Sequence, residues 1–430
     1  MKSVDDGMLF FDSIEDLFLW KNVQIPLNYK LNNFTWTETL KRPKTLVCHD
    51  HRGGYLEYES LQGSQYSNKS GKQIPFYSFF HWWYVDIFVY FSHHFVTVPP
   101  DVWILAAHQH GVLILGTFIT ENFTLFDFCF SDDLIIENLI SSLVALCKNK
   151  NFDGWLINIE NEVRPEYLDR LEWFLKELRR ELRDKVHNCT QVIWYDSVLS
   201  SGKLDWQNEL NSKNSRWFSV VDGFYTNYCW NESHLQRTLQ HFYKYFSPEK
   251  SPFDIFMGID VFGRNCTGCW DCDKPMEIIR RYDLSVAIFA PGWTCENCPI
   301  KDQKISLFDN SERLWNLLKP FLFPHKLTCK QFSTNFSVGF SDDHFCMKNF
   351  NIQPFYLCSS AFSRDLKPGI LINKCGMISI FLCNILIEPC DRHLKLRYKS
   401  SFPVDFIVKV SNDQKTDHLL VKTVKKLISS

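Results

Sequence analysis

An amide and a carboxyl side chain stand two positions apart near the middle of the chain, in the segment FDGWLINIEN at residues 152–161. The segment has the apolar character of a buried strand, in which alternate residues share a face. Asn158 and Glu160 are therefore expected to point the same way, roughly 7 Å apart. Trp155, Ile157 and Ile159 then pack on the opposite face, so the two polar groups must point into a cavity.

The chemistry of this pair is unusual because only one of its members is an acid. Most glycosidases use two carboxyl groups, one as general acid and one as nucleophile or base. A neutral amide can do neither, but it can orient a substrate group that supplies the nucleophile, such as the 2-acetamido group of an N-acetylhexosamine. The pair thus suggests a substrate-assisted glycosidase with Glu160 as acid. The alternative, favoured on this motif alone, is that Asn158 and Glu160 only bind neighbouring loops.

The elements around this pair alternate between short apolar runs and amphipathic stretches. Eight runs read as buried strands: Thr45–Cys48, Asp86–Phe91, Val112–Phe118, Trp155–Glu160, Val192–Asp196, Val220–Thr226, Ile255–Asp260 and Ser285–Ala290. Helical periodicity is clear over Asp133–Lys148, Glu166–Leu182 and His234–Phe246. This order predicts an α/β fold, a (β/α)8 TIM barrel, with a doubly wound open sheet as the alternative. The barrel is favoured because nearly every run ends in polar or aromatic residues, as the functional face of a barrel requires.

Three segments are expected along the chain. Residues 1–43 form an N-terminal extension that packs on the barrel, and residues 44–323 form the (β/α)8 barrel itself. Residues 324–430 show alternating apolar runs without a convincing helix, which predicts a β-sandwich domain that is cut short.

Composition excludes several classes of protein. Aromatic residues make up 16% of the 430 positions, which disordered chains do not show. A formal net charge of −2 gives no field that would attract nucleic acid or an anionic membrane. No apolar run reaches the roughly 20 residues of a membrane span, and the first residues lack a signal pattern. We therefore expect a cytosolic protein whose cysteines are reduced.

The ordered set of motifs resembles glycoside hydrolase family 85, the cytosolic endo-β-N-acetylglucosaminidases, from about Ser13 to Leu307. The motifs that carry the resemblance are LVCHD (46–50), GGY (53–55), DIFVYFSHH (86–94), AAHQHG (106–111), LGTF (115–118), FDGWLINIEN (152–161), WYDS (194–197), WQN (206–208), DGF (222–224), NY (227–228), GIDVF (258–262) and FAPGW (289–293). Each motif alone is weak evidence, whereas their common order is specific.

The resemblance implies hydrolysis of the β-1,4 bond between the two core N-acetylglucosamines of N-glycans, with N-glycans, glycopeptides or free oligosaccharides as partners and no cofactor. Asn158 would hold the N–H of the substrate's acetamido group. The carbonyl oxygen of that acetamido group would attack C1, and an oxazolinium would form. Glu160 would protonate the leaving oxygen and then activate water. Tyr195 matches a family tyrosine near the acetamido group. Trp206 and Trp230 match aromatic positions of the sugar site.

Further residues are expected around the same site on physical grounds. Indole faces stack on sugar rings, which suits Trp293 as well, while polar side chains bind sugar hydroxyls. The expected hydroxyl ligands are Asp196, Asn208, Asn227 and Asp260, with His49 at the rim. The other histidines, His93 and His94 among them, are interpreted as structural rather than as metal ligands.

The chain also departs from the family pattern. Asn122 stands where animal members usually have tryptophan, and Cys295 stands where a tyrosine is common. Cys266, Cys269 and Cys272 occupy a loop that is glycine-rich in relatives, and with Cys295 and Cys298 they raise the question of zinc, although no metal is expected. These departures keep open a second function, a non-catalytic barrel that binds N-glycans. A chitinase-type barrel fits less well, because Asn158 replaces the acid that it needs.

Overall fold

The computed structural model describes residues 9–20, 41–55, 77, 79, 81–296, 307–323, 326–327, 384–385, 406–411 and 416–421. Its strands are β1 (Leu9–Phe11), β2 (Thr45–His49), β3 (Ile87–Tyr90), β4 (Val96–Val98), β5 (Leu113–Thr120), β6 (Gly154–Ile159), β7 (Gln191–Tyr195), β8 (Gly223–Tyr225), β9 (Ile255–Asp260), β10 (Ser285–Phe289), β11 (Lys326–Leu327), β12 (Asn384–Ile385), β13 (Phe406–Ser411) and β14 (Thr416–Val421). Its α-helices are α1 (Ile14–Leu19), α2 (Asp101–Gln109), α3 (Phe123–Phe130), α4 (Asp133–Lys150), α5 (Leu168–Lys185), α6 (Ser215–Val220), α7 (Glu232–Tyr245), α8 (Asp273–Arg281), α9 (Trp293–Glu296) and α10 (Leu307–Leu318).

Eight parallel strands close into a ring in the order β2, β3, β5, β6, β7, β8, β9 and β10. The ring is closed by β10 lying beside β2, with Phe289 opposite Cys48. This confirms the predicted (β/α)8 barrel, and the open-sheet alternative is wrong. The antiparallel strands β4 and β1 extend the sheet outward from β5, so residues 9–11 join the sheet by strand pairing.

Helices α4 and α5 flank β6, and their own residues explain where α4 begins and ends and which face of α5 is buried. Helix α4 begins where the Asp132 side chain accepts a hydrogen bond from the backbone N–H of Leu134, and it ends at Asn151, whose φ is 58°. Both are common signals for the start and end of a helix. Helix α5 buries Leu171, Phe174 and other apolar residues on one face and exposes charges on the other. The two helices thus cover the outer face of β6.

The core has two layers, because alternate residues of each strand face inside and outside the ring. Leu46, Cys48 and Leu156 belong to the cluster inside the ring. Val47 and Trp155 belong to the larger cluster between the strands and the helices. The strand register therefore decides which residues can reach the mouth of the barrel.

Three buried aspartates join neighbouring strands where the strands begin. Each precedes one barrel strand, and its carboxylate accepts a hydrogen bond from the first backbone N–H groups of the preceding barrel strand. The pairs are Asp86 with Thr45 at 2.8 Å, Asp153 with Ile114 at 2.7 Å, and Asp222 with Val192 at 2.9 Å. These three carboxylates join β2 to β3, β5 to β6 and β7 to β8, and so help to fix the register of six of the eight strands.

Asp153 is the aspartate closest to the site, because it lies directly before β6, the strand that carries Asn158. Its carboxylate contacts His108 Nε2 at 2.8 Å and His187 Nε2 at 2.9 Å. Gly154 follows with a φ of 134°, and a Cβ there would lie 1.9 Å from the carbonyl oxygen of Gln191, so only glycine fits. Burial alone would raise the pKa of Asp153, but the two histidines reverse that effect and hold it at about 2.

We predict that Asp153→Asn lowers the free energy of unfolding at pH 7 by about 2–3 kcal/mol, because the charge that binds both histidines is lost. The depressed pKa means that the stabilisation is present at neutral pH and is lost only as pH falls towards 2. Thermal and denaturant unfolding would measure the difference. Asp169→Asn is the control, since that side chain is almost fully exposed. Equal stability of the two variants would contradict the role of Asp153.

The carboxy-terminal part of the chain forms a separate compact unit that begins at Ile387. Within residues 324–430 the structure describes β11 paired with β12 and the antiparallel pair of β13 and β14. The predicted β-sandwich lies otherwise outside the described residues. None of the described helices combines the length and the apolar character that crossing a bilayer demands.

Candidate active site

The mouth of the barrel at the carboxyl end of β6 carries the predicted pair. Asn158 lies inside the ring and is buried, with its backbone opposite Ile119 of β5. Glu160 directly follows the strand, and its backbone N–H donates to the carbonyl of Thr120 at 2.7 Å. The end of β5 thus fixes the backbone from which the Glu160 carboxyl projects.

The two side chains of the pair contact each other. The Asn158 side chain lies close enough to the Glu160 carboxyl to lower its pKa, as expected of two side chains that share the inner face of one strand. Among the described residues, the Oδ1 atom of Asn158 is buried and has no hydrogen-bond partner. A buried acceptor without a partner is costly, so the arrangement suits a ligand that brings an N–H group to this atom.

The environment of Glu160 favours its protonated form. Burial raises the pKa of this carboxyl, and the charge of Glu121 raises it further. His93 and the hydrogen bond from Asn158 act in the opposite direction without cancelling the rise. A carboxyl with a raised pKa is suited to donate a proton near neutral pH.

Glu121 and His93 are site residues that the sequence reasoning missed. The sequence pattern favours a structural role for His93 and does not single out Glu121 as a site residue. In the structure His93 Nδ1 lies 3.0 Å from Glu121 Oε1, and both groups act on Glu160. The available signal was their position, because each follows the end of a barrel strand, β3 or β5.

We predict that Glu121→Gln lowers the pKa of Glu160, because a negative charge that opposes ionisation is removed and the opposing His93 stays. Titration of the labelled Glu160 carboxyl by NMR would measure the shift. Glu166→Gln, on the exposed surface after β6, is the matched control and should leave the titration in place. A Glu160 pKa that rises in Glu121→Gln would refute this assignment.

A chain of hydrogen bonds holds Tyr195 at the end of β7. Its hydroxyl donates to Asn227 Oδ1 at 2.9 Å, and Asn227 Nδ2 donates to Asn208 Oδ1 at 2.9 Å. The backbone N–H of Asn208 donates in turn to Asp196 Oδ2 at 2.7 Å. Burial raises the pKa of Tyr195 well above its usual range, and the nearby charge of Glu160 adds to the rise. The tyrosine therefore stays a hydrogen-bond donor beside Glu160.

The two predicted hydroxyl ligands Asp196 and Asp260 require a correction. Asp196 is 1% exposed, and its other oxygen accepts from Asn214 Nδ2 at 3.0 Å. Burial raises the pKa of Asp196 to about 7. Asp260 is also buried and accepts from Arg264 Nε at 2.8 Å and from the backbone of Phe262. Because protein groups already donate hydrogen bonds to the carboxylates of Asp196 and Asp260, these two side chains hold loops in place and do not bind a sugar.

The predicted aromatic contacts divide into three cases. Trp206 is 39% exposed, which leaves a face open to solvent. Trp293 is half-buried and stacks on Phe262, with ring centroids 4.1 Å apart. Trp230 is only 2% exposed and its Nε1 donates to the carbonyl of Gly258, so the prediction that it walls the sugar site is corrected. Its ring packs between the strands and the helices.

His49 also requires a correction. Its ring is 0% exposed and lies among Tyr77, Tyr90 and Trp103. The cause is the strand alternation, which turns His49 outward with Val47 toward the helical layer. A sugar at the mouth of the ring does not reach that layer.

The cysteine-rich loop does not bring a metal site together within the part of the chain that is described. Cys266 is half-buried, Cys269 is exposed and Cys272 is buried. The described residues contain no group of three or more His, Cys, Asp or Glu side chains arranged to hold a metal ion. Cys298 and the side chain of Cys295 fall outside the described structure.

The closed ring, with its polar pair at the carboxyl ends of the strands, places the chain in the class of (β/α)8-barrel proteins whose functional face is that end. The sequence model of "Glycosyl hydrolase family 85" matches residues 58–344. The chain therefore belongs to this family.

Named relatives agree with that membership, and a solved structure agrees with the fold. The mouse "Cytosolic endo-beta-N-acetylglucosaminidase" is 42% identical, over 76% of this chain and 43% of the relative. The human protein of the same name is 39% identical, over 78% and 44% respectively. The chain thus spans less than half of either relative. The Endo-D glycoside hydrolase domain of Streptococcus pneumoniae R6 has a TM-score of 0.53 at 18% identity, covering 71% of this chain and 49% of that one, and supports the fold.

Proposed function

We propose that the chain hydrolyses the β-1,4 bond between the two core N-acetylglucosamines of N-glycans. The observation that carries the proposal is the pair at the end of β6: a protonatable Glu160 beside Asn158, whose buried Oδ1 lacks a partner among the described residues. The similar relatives are named endo-beta-N-acetylglucosaminidases, which supports the same reaction. Because those relatives are also named cytosolic, we infer that this chain acts on glycans in the cytosol.

In the first half of the reaction the substrate supplies its own nucleophile. Asn158 Oδ1 accepts the acetamido N–H of the N-acetylglucosamine on the non-reducing side of the bond, which turns the acetamido carbonyl oxygen toward C1. That oxygen attacks C1 as Glu160 transfers its proton to the glycosidic oxygen. The bond between C1 and the leaving oxygen breaks, and a cyclic oxazolinium forms.

In the second half Glu160 acts as a base. It is now a carboxylate, and it removes a proton from a water molecule that attacks C1 and opens the oxazolinium ring. Two displacements at C1 retain the anomeric configuration. A sugar hydroxyl in place of water would give transglycosylation by the same route. Tyr195, held neutral by burial, presents its hydroxyl oxygen on the acetamido side of the site while its proton is donated to Asn227.

We predict that Glu160→Gln lowers the rate of hydrolysis of a high-mannose glycopeptide about 10²–10⁴-fold, which is the usual size of a general-acid contribution. The same variant should lose less activity with a preformed sugar oxazoline than with the glycopeptide, because that donor has passed the first protonation and needs Glu160 only as a base. Chromatography of released glycan and of transfer product would measure both activities.

Glu166→Gln serves as the control for Glu160→Gln, since its side chain is exposed outside the mouth of the barrel, and it should cleave the glycopeptide like the wild type. Full hydrolysis by Glu160→Gln would overturn the assignment of the acid. Micromolar glycan binding by the wild type without any turnover would instead favour a binding protein over an enzyme.

We also predict that Asn227→Ala lowers kcat about tenfold, because the Tyr195 hydroxyl loses the acceptor that orients it. A double-mutant cycle with Tyr195→Phe tests this relation. In the Tyr195→Phe background, Asn227→Ala should cost little more, since the hydroxyl that it positions is already absent. Two independent, fully additive losses would show that Asn227 acts separately from Tyr195.

A further inference from the structure

A continuous row of rings leads from Tyr195 across the mouth of the barrel to an exposed tryptophan. We name this row the aromatic wall, and it consists, in spatial order, of Tyr195, Tyr228, Phe289, Phe262, Trp293 and Trp270. Successive ring centroids are 6.2, 5.5, 5.9, 4.1 and 6.3 Å apart. The wall starts at the proposed catalytic tyrosine and ends at a ring that solvent reaches.

The outer half of the aromatic wall stands in the loops that follow β9 and β10. The rings of Phe262 and Trp293 are inclined by 29°, and those of Trp293 and Trp270 by 14°. Trp270 is 40% exposed, so one large apolar surface is left open at the end of the wall. Among the described residues, the buried Nε1 of Trp293 has no hydrogen-bond partner. The open face of Trp270, continued by the nearly parallel ring of Trp293, gives a flat aromatic surface on which a ligand ring can stack.

Arg264 gives this end of the wall its polar character. Its guanidinium lies over Phe262 at 4.4 Å and over Phe289 at 5.9 Å, and its Nε donates to Asp260 at 2.8 Å. The Arg264 side chain is 59% exposed, so it also presents donors to solvent. Because Asp260 neutralises the cation, the surface suits a neutral ligand with many hydroxyls better than an anion.

A hexopyranose has the chemistry that this surface selects. Its C–H face is apolar and flat enough to lie on an indole, and its hydroxyls accept hydrogen bonds from Arg264 or from an indole N–H. The position of the aromatic wall indicates on which side of the cleaved bond the bound sugar lies. The wall begins at Tyr195, on the acetamido side of the cleaved bond, whereas Glu160 serves the leaving group.

We propose that Trp270, Trp293 and Arg264 form a distal sugar subsite, which binds a neutral hexopyranose in the glycan arm on the non-reducing side of the cleaved bond. The proposal rests on the proposed function and adds to it a determinant of glycan size. Trp270 lies in the cysteine-rich loop between β9 and α8, next to Cys269.

The test compares two glycopeptides with the same peptide and the same chitobiose core, one with a full high-mannose arm set and one trimmed to the core mannose. Wild-type protein should show a higher kcat/KM for the full glycan. Trp270→Ala should lower the ratio of the two kcat/KM values about tenfold, and Trp270→Phe should restore part of it. Trp173→Ala, which removes a tryptophan of similar exposure on α5, should leave the ratio as in the wild type.

Binding separates a failure of the subsite from a failure of the proposed function. Calorimetric titration of both glycans into Glu160→Gln, with and without Trp270→Ala, should show a loss of affinity for the full glycan that is larger than the loss for the trimmed one. An unchanged ratio and unchanged affinities would overturn the subsite even if the bond is cleaved. Equal losses of affinity for the two glycopeptides would place Trp270 near the peptide and core that they share, on the leaving-group side, and would also overturn the subsite. If the wild type cleaves neither glycan, the titration alone decides.

Discussion

The closure of eight parallel strands into a ring is the constraint on which the rest of the barrel depends. Once β10 pairs with β2, each strand has two neighbours and only two faces, one inside the ring and one toward the helices. The buried carboxylates of Asp86, Asp153 and Asp222 tie the strand beginnings together and so hold the register. A shift by one residue in β6 would turn Asn158 into the helical layer and bring Ile157 into the site.

Within that frame, the site balances opposing electrostatic effects rather than relying on one strong interaction. Burial and Glu121 keep the pKa of Glu160 high, while His93 and Asn158 limit the rise, which leaves a carboxyl able both to give and to take a proton. Among the described residues the buried Oδ1 of Asn158 has no partner, which leaves this acceptor for the substrate. Tyr195 contributes a hydroxyl that protein partners, and not the substrate alone, orient.

Most of the barrel and the centre of the site could be predicted from the sequence, because both follow from local periodicity. The alternation in residues 152–161 was enough to place Asn158 and Glu160 on one face. The predictions failed where a side chain's surroundings come from distant segments. Asp196 has the polar character of a sugar ligand, yet residues 12 and 18 positions further along occupy its oxygens. Trp230 has the ring of a sugar platform, yet it is buried between strands and helices.

The sequence by itself determined where the eight barrel strands lie along the chain, the inner face of β6 and the family to which the chain belongs, since these depend on residue types at fixed spacings. Only the tertiary structure decided which polar groups remain available to a ligand. Glu121 and His93 come from the ends of two other strands, and they act on Glu160 only because the ring brings those ends together. The aromatic wall has the same origin: loops far apart in sequence become neighbours when the strands that carry them pair, so its continuity is a property of the closed ring and not of any one motif.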